Sequence, residues 1–218
     1  MNSILSLLVL AGIAIFLILR LRSVLGTREG FEKPPARPNS ARSTTRRDFE
    51  VIEGGPDEDI IDHVEDGSDS AKALAAMKLA EPGFRVGEFL QGARQAYEMI
   101  LMSFERGDVD GLRPFLAEDV MHTFETVINQ RNEQGLRIDA EFVGVREITL
   151  QNASFDRSVN EADITIRFVG ELTSVVRNAD GEIIEGNASE IKRQRDVWTF
   201  SRSMGTDDPN WLLVATDG

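Results

Sequence analysis

The chain has 218 residues, 41% of them hydrophobic and 28% charged, with no cysteine, two histidines and a formal net charge of −13. The missing cysteines exclude a disulfide framework, a thiolate nucleophile, an iron–sulfur cluster and every Cys-based zinc site, and two histidines exclude a three-histidine metal centre. Bulk acidity also argues against nucleic acid as a partner, because binding a phosphate backbone requires a basic surface.

The charge is unevenly spread. Residues 1–19 carry no charged side chain, whereas residues 20–47 hold eight basic side chains against two acidic ones, a net +6, so that everything from Asp48 onward carries −19. From Ile4 to Leu19 the run ILSLLVLAGIAIFLIL is uninterrupted by charge. Counted from Met1 as a helix at ~1.5 Å per residue, it spans about 28 Å, one hydrocarbon thickness. A cleaved signal peptide would need a positive n-region and a small-x-small site, and neither is present. Arginines follow the run at once, which by the positive-inside rule places the N-terminus outside and the remainder in the cytoplasm. Residues 1–25 are therefore expected to form one transmembrane anchor. Arg20, Arg22, Arg28 and Lys33 then stand where anionic headgroups would meet them, unless they serve as a topology signal alone.

Residues 26–69 read as a linker. The stretch GTREGFEKPPARPNSARSTTRR holds three of the seven prolines and little that could be buried. Its acidic continuation, from Asp48 to Asp69, carries small apolar clusters of the kind found in short partner-binding motifs. His63 lies here and receives no role.

Helical periodicity begins near Ser70. Ser70 or Asp69 is expected to cap a short helix over AKALAAMKLAE, which Pro82-Gly83 stops. The strongest helix spans about Arg85 to Phe104: Phe89, Ala93, Tyr97, Ile100 and Phe104 follow steps of three and four and share one face. Gly92 costs ~1 kcal/mol against alanine inside it, which suggests close backbone packing there. Gly107-Asp108 ends this helix and caps the next short one, and a further helix runs from Glu118 to Gln134, closed by Gly135. Beyond Gly135 the period becomes two. Arg137–Phe155 is extended, with a phase shift around Gly144 that predicts a bulge; Ile164, Ile166, Phe168 and Leu172 alternate with polar residues. Asn178-Ala179-Asp180-Gly181 signals a hairpin turn. Glu190–Arg202 is a long strand with Trp198, Phe200 and Arg202 on one face, and Trp211–Thr216 closes the chain. Helices first and strands second predict an α+β domain over residues 70–218, with the helices packed on a strongly bent antiparallel sheet that leaves a cone-shaped apolar cavity.

The fragments PGFRVGEFLQGARQAYEMI, GDVDGLRPFL and DVWTFSRSMGTDDPNWLLVAT resemble the C-terminal domain family of the mitochondrial inner-membrane import-motor scaffold, subunit forty-four of the translocase of the inner membrane. They are nearest in look to its membrane-anchored bacterial relatives. The resemblance covers Ser70 to Thr216 and implies a cystatin-like cone fold, a large hydrophobic pocket, an affinity for anionic phospholipid and a place at the bacterial inner membrane. Mitochondrial members also tether a heat-shock chaperone, a role carried largely by a long N-terminal region. Here an anchor and a short linker stand in that place.

The pocket candidates are Phe89, Ala93, Tyr97 and Ile100 on the long helix, with Phe168, Trp198, Phe200 and Trp211 on the sheet; they either line an acyl-chain or peptide pocket or form an ordinary core. Arg202 is the candidate for an anionic ligand at the pocket mouth, or for a salt bridge to a helix carboxylate. Arg94 sits at the boundary of its helix face. His122 falls at the flank of its helix or in solvent. No nucleophile elbow, Walker loop, dinucleotide fingerprint or metalloprotease motif occurs, so no catalytic residue, metal or cofactor is assigned. The reading is a non-enzymatic, membrane-anchored adaptor or scaffold in protein transport or membrane-complex assembly, with membrane or chaperone proteins as partners. A lipid-binding or lipid-sensing module is the alternative. A small-molecule isomerase or hydratase on the same kind of fold is the third, and it would need carboxylate or histidine groups inside the cone.

Overall fold

The computed structural model describes residues 57–217. The expected anchor over residues 1–25, with Arg20, Arg22, Arg28 and Lys33, and the linker up to residue 56 lie outside the described residues. Among those described, no helix is long and apolar enough to cross a membrane.

Among the described residues five helices precede four strands: α1 (Glu58–Ile61), α2 (Asp69–Ala80), α3 (Val86–Arg106), α4 (Val109–Leu112), α5 (Glu118–Glu133), then β1 (Arg137–Asp156), β2 (Glu161–Arg177), β3 (Ile183–Ser203) and β4 (Leu212–Asp217). The strands form one antiparallel sheet in the order β1-β2-β3-β4, as the α+β pattern requires. On β2, Ile164, Ile166 and Phe168 are fully buried and face the helices. The alternate residues look the other way and are tied across strands: Arg167 pairs with Glu147, Glu171 with Arg193 at 2.9 Å, and the Thr165 and Thr199 hydroxyls meet at 2.9 Å. Such partly exposed pairs add little stability.

The bulge expected near Gly144 is present as a register shift between Phe142 and Gly144, and two more follow along β1. The hairpin turn is built by Asn178, whose side-chain Oδ1 accepts from the backbone N–H groups of Asp180 and Glu182 at 3.1 and 2.9 Å. Gly181 completes the turn at φ +82°, a conformation that glycine adopts without a steric cost.

Long helix α3 fits its sequence. Val86, Phe89, Leu90, Ala93, Tyr97, Ile100 and Leu101 are buried along one side, and Gly107 ends it at φ +72°, with Gly107 N–H bonded to Phe104 O and Asp108 N–H to Ser103 O. Tyr97 lies flat on Phe168, ring centroids 4.4 Å apart at 13°, and reaches across Gly170, where a Cβ would fall 2.7 Å from its hydroxyl. Gly170 is thus the bare spot that lets the α3 aromatic settle on β2.

Three expectations change. First, residues 57–69 do not belong to a linker. Ile60 is 5% exposed within the core, and Asp59 bonds to the start of α3. The chain could join the fold here because Ile60 supplies an apolar anchor and Lys78 an ionic one. Second, α2 is capped by Ser68, whose Oγ accepts from Ala71 N–H at 3.1 Å; Ser70 instead accepts from Ala153 N–H at 3.0 Å, tying α2 to β1. Third, Gly92 is not packed against anything: a Cβ there would meet no atom within 4 Å.

Candidate functional site

Outboard of α3 lies a half-open cleft of about 370 Å³. Its floor is the stripe Phe89, Gly92, Ala93 and Ala96, spaced three and four residues apart and hence aligned on the helix. Phe84, Met99, Pro114, Phe115 and Trp211 also line the cleft. The aromatic wall is continuous: Phe89 and Trp211 centroids are 4.6 Å apart, Phe84 and Trp211 6.0 Å, and Phe89 meets Phe200 edge-on at 6.2 Å. Because Gly92 carries no side chain, the α3 backbone is bare in the middle of this floor, where an apolar group can approach closely.

One end of the cleft is polar. Arg202 reaches it with a side chain only 9% exposed and pairs with Glu81, the residue that ends α2. Its Nε donates to Asp208 O at 3.1 Å, its guanidinium lies 5.8 Å from the Trp211 ring, and Gly205 N–H donates to Glu81 at 3.0 Å. Burial alone would raise the Glu81 carboxyl, but the Arg202 guanidinium and the Gly205 N–H hold it below its ordinary value. Of the two roles open to Arg202 in the sequence, the salt bridge to a helix-end carboxylate is the one the geometry displays.

The sequence-derived candidates divide. Phe89, Ala93, Phe200, Trp211 and Arg202 come together in the cleft. Tyr97, Ile100, Phe168 and Trp198 do not: each is 4% exposed or less and fills the layer between α3 and the sheet, so the expected pocket inside the cone is at these positions a packed core. Phe84, Met99 and Phe115 line the cleft without having been site candidates in the sequence, and Gly92 stood out there only as a packing glycine. The signal in the sequence was spacing alone: Gly92, Ala96 and Met99 follow steps of four and three, and in the structure Met99 is 44% exposed at the cleft. Arg94 donates to Val145 O at 2.8 Å and His122 is exposed, both outside the cleft.

The cleft's own carboxylates are Glu81 and Glu88, and two other carboxylates, Asp196 and Glu105, lie away from it. Asp196 accepts from the Tyr97 hydroxyl at 2.5 Å and from Gln194 Nε2 at 3.0 Å. Burial first, and then Asp196, pushes the Tyr97 phenol far above its ordinary range. Glu105, raised by burial against the pull of Arg131 and Lys192, is half-buried at the far end of α3. Neither lines the cleft, and among the described residues no cluster of three His, Asp or Glu side chains is placed to hold a metal ion. The cleft is equipped for binding: apolar walls, a bare helix floor and one neutralised polar end.

The family described as "Tim44-like domain" matches residues 70–218. Among curated proteins, human (Homo sapiens) "Mitochondrial import inner membrane translocase subunit TIM44" is 22% identical over 151 residues, which is 67% of this chain and 33% of that protein. The chain thus spans about a third of the length of the curated relative it matches. Among solved structures, the intermembrane space region of the chloroplast protein ARC6 is similar at a TM-score of 0.40 and 10% identity, over 59% of this chain and 94% of that one.

Proposed function

Because the chain belongs to the Tim44-like domain family, we propose that it is a membrane-tethered, non-catalytic adaptor in protein transport or membrane-complex assembly. In this reading residues 1–25 anchor it in a bacterial inner membrane, the residues up to 56 form the linker, and the cytoplasmic domain grips an apolar segment of a partner protein in the cleft beside α3. The observation that carries it is the floor of that cleft. Gly92 weakens α3 by about 1 kcal/mol relative to alanine, no neighbouring atom requires its smallness, and the cleft it opens onto is lined by Phe84, Phe89, Phe115 and Trp211. Tethering confines the domain to the membrane surface, which raises the effective concentration of any partner held there.

The aromatic walls also suit an acyl chain, and a lipid-binding module is the second reading. The net −19 from Asp48 onward opposes close approach to an anionic bilayer, which favours a protein occupant. The test is capture of the tagged full-length protein from membranes in mild detergent, with proteins and lipids identified by mass spectrometry beside a matched Gly92→Leu chain. A small set of membrane proteins present with the wild type and lost with Gly92→Leu is expected. Stoichiometric lipid without protein would turn the assignment to the lipid reading, and an identical protein set from both chains would refute the cleft as the gripping site.

A further inference from the structure

The Tim44-like match starts at residue 70, yet the seven residues from Asp57 to His63 and the turn after them are built into the fold ahead of it. Helix α3 begins without a cap of its own: Arg85 stands at the N-cap position and offers its first turn no side-chain acceptor. The acceptor comes from 27 residues upstream. Asp59 Oδ2 accepts from Val86 N–H at 2.9 Å and Oδ1 from Gly87 N–H at 3.0 Å, a bidentate carboxylate at the positive end of a 21-residue helix. Lys78, its side chain 14% exposed, sits 2.7 Å from both Asp57 and Asp59 and locks the segment to α2. Ile60, next to Asp59, is buried in the core.

The turn held in this way is the one that shapes the cleft. Phe84 precedes it by two residues, Glu88 belongs to it and Phe89 follows it, and all three line the cleft. We propose that residues 57–64 are a strap that acts in cis on the cleft, and that Asp59 is a positioning residue: it sets the first turn of α3, and through it the Phe84–Phe89 wall against which a partner segment packs. The functional unit then begins at Asp57, ahead of the family match. This rests on the cleft reading above, and the experiment separates the two.

Hydrogen exchange of the Val86 and Gly87 amides is measured in the detergent-solubilised full-length protein for wild type, Asp59→Ala, Asp59→Asn and Lys78→Met. In parallel, a photoreactive phenylalanine in place of Met99, on the cleft rim, reports adducts formed in native membranes. Loss of a cap typically favours local opening about fivefold, so both amides exchange about fivefold faster in Asp59→Ala while the β2 amides stay as in wild type. Adduct yield falls by a similar factor, and Asp59→Asn restores part of both because its amide oxygen still accepts one bond. Lys78→Met, which leaves the cap itself intact, gives a smaller shift in the same direction should Asp59→Ala not fold. Unchanged exchange at Val86 and Gly87 overturns the strap. Faster exchange with unchanged adducts overturns the positioning role, provided that Gly92→Leu abolishes those adducts. If Gly92→Leu leaves them unchanged as well, the cleft reading is what fails.

Discussion

Replacing Gly92 by alanine should make the protein more stable. Gly92 lies in the second turn of α3 with its α-carbon facing the open cleft, and a Cβ built there touches nothing within 4 Å. The steric term is therefore absent, and what remains is helix propensity, about 0.8–1 kcal/mol in favour of alanine, part of it through the lower entropy of the unfolded chain. We expect a gain of about 0.5–1 kcal/mol, which for a domain of this size moves the midpoint of thermal unfolding by roughly 1–4 °C. Urea denaturation followed by far-ultraviolet circular dichroism should show a higher midpoint at an unchanged m-value. Leucine has nearly the same propensity, and its side chain would project into the open cleft, so Gly92→Leu should be no less stable than wild type while obstructing the floor. That combination makes it a folded, blocked variant. A loss of stability in Gly92→Ala would refute the reasoning, because it would mean that some group packs against the α-carbon and that the cleft is not open there.

Gly170→Ala should do the opposite: its Cβ would lie 2.7 Å from the Tyr97 hydroxyl and 2.9 Å from Cε1, forcing the ring off Phe168 at a cost of about 1–3 kcal/mol in the same denaturation assay. Tyr97→Phe removes the donor to Asp196 and should cost about 1–2 kcal/mol. Tyr97 is the single tyrosine of the chain, and its folded pKa is raised above the ordinary 10.0. Its contribution is thus full below pH 10 and is lost as pH rises further, because only the unfolded chain releases the proton; phenolate absorbance should appear together with unfolding and not before it. On the acid side burial alone would raise Asp59, but Lys78 and the N–H groups of Gly87 and Val86 bring it from 3.8 down to about 2. A depressed carboxylate contributes above its unfolded pKa and loses that contribution as pH falls through the folded value. Asp59→Asn should therefore flatten the stability profile between pH 4 and 2, by about 1–2 kcal/mol once its partly exposed setting is allowed for.

Much of the architecture was legible because its signals are local. The three-and-four spacing from Phe89 to Phe104, the stop at Gly107, the change of period after Gly135 and the Asn178–Gly181 turn each depend on a few consecutive residues, and α3, α5 and the β2–β3 hairpin stand where those signals placed them. The same periodicity named the face to which Phe89, Ala93, Tyr97 and Ile100 belong. It could not say what covers that face. Phe89 and Ala93 turn partly toward a cleft while Tyr97 and Ile100, one and two turns further on, are sealed against β2 and β3.

Short stretches of residue type and backbone geometry are therefore enough to set the elements, their order and the side of each that is apolar. Tertiary structure decided the rest. Gly92 reads as a packing glycine in sequence and proves to be the open floor of a cleft, because vacancy is set by the placement of Pro114, Phe115 and Trp211 and not by the helix that carries the glycine. Asp59 reads as one more acid in a charged stretch and proves to cap a helix 27 residues away, because the bond depends on a folded path that brings Ile60 into the core and Lys78 alongside. Both are long-range facts: the free energy of each contact depends on groups that no local window of residues contains.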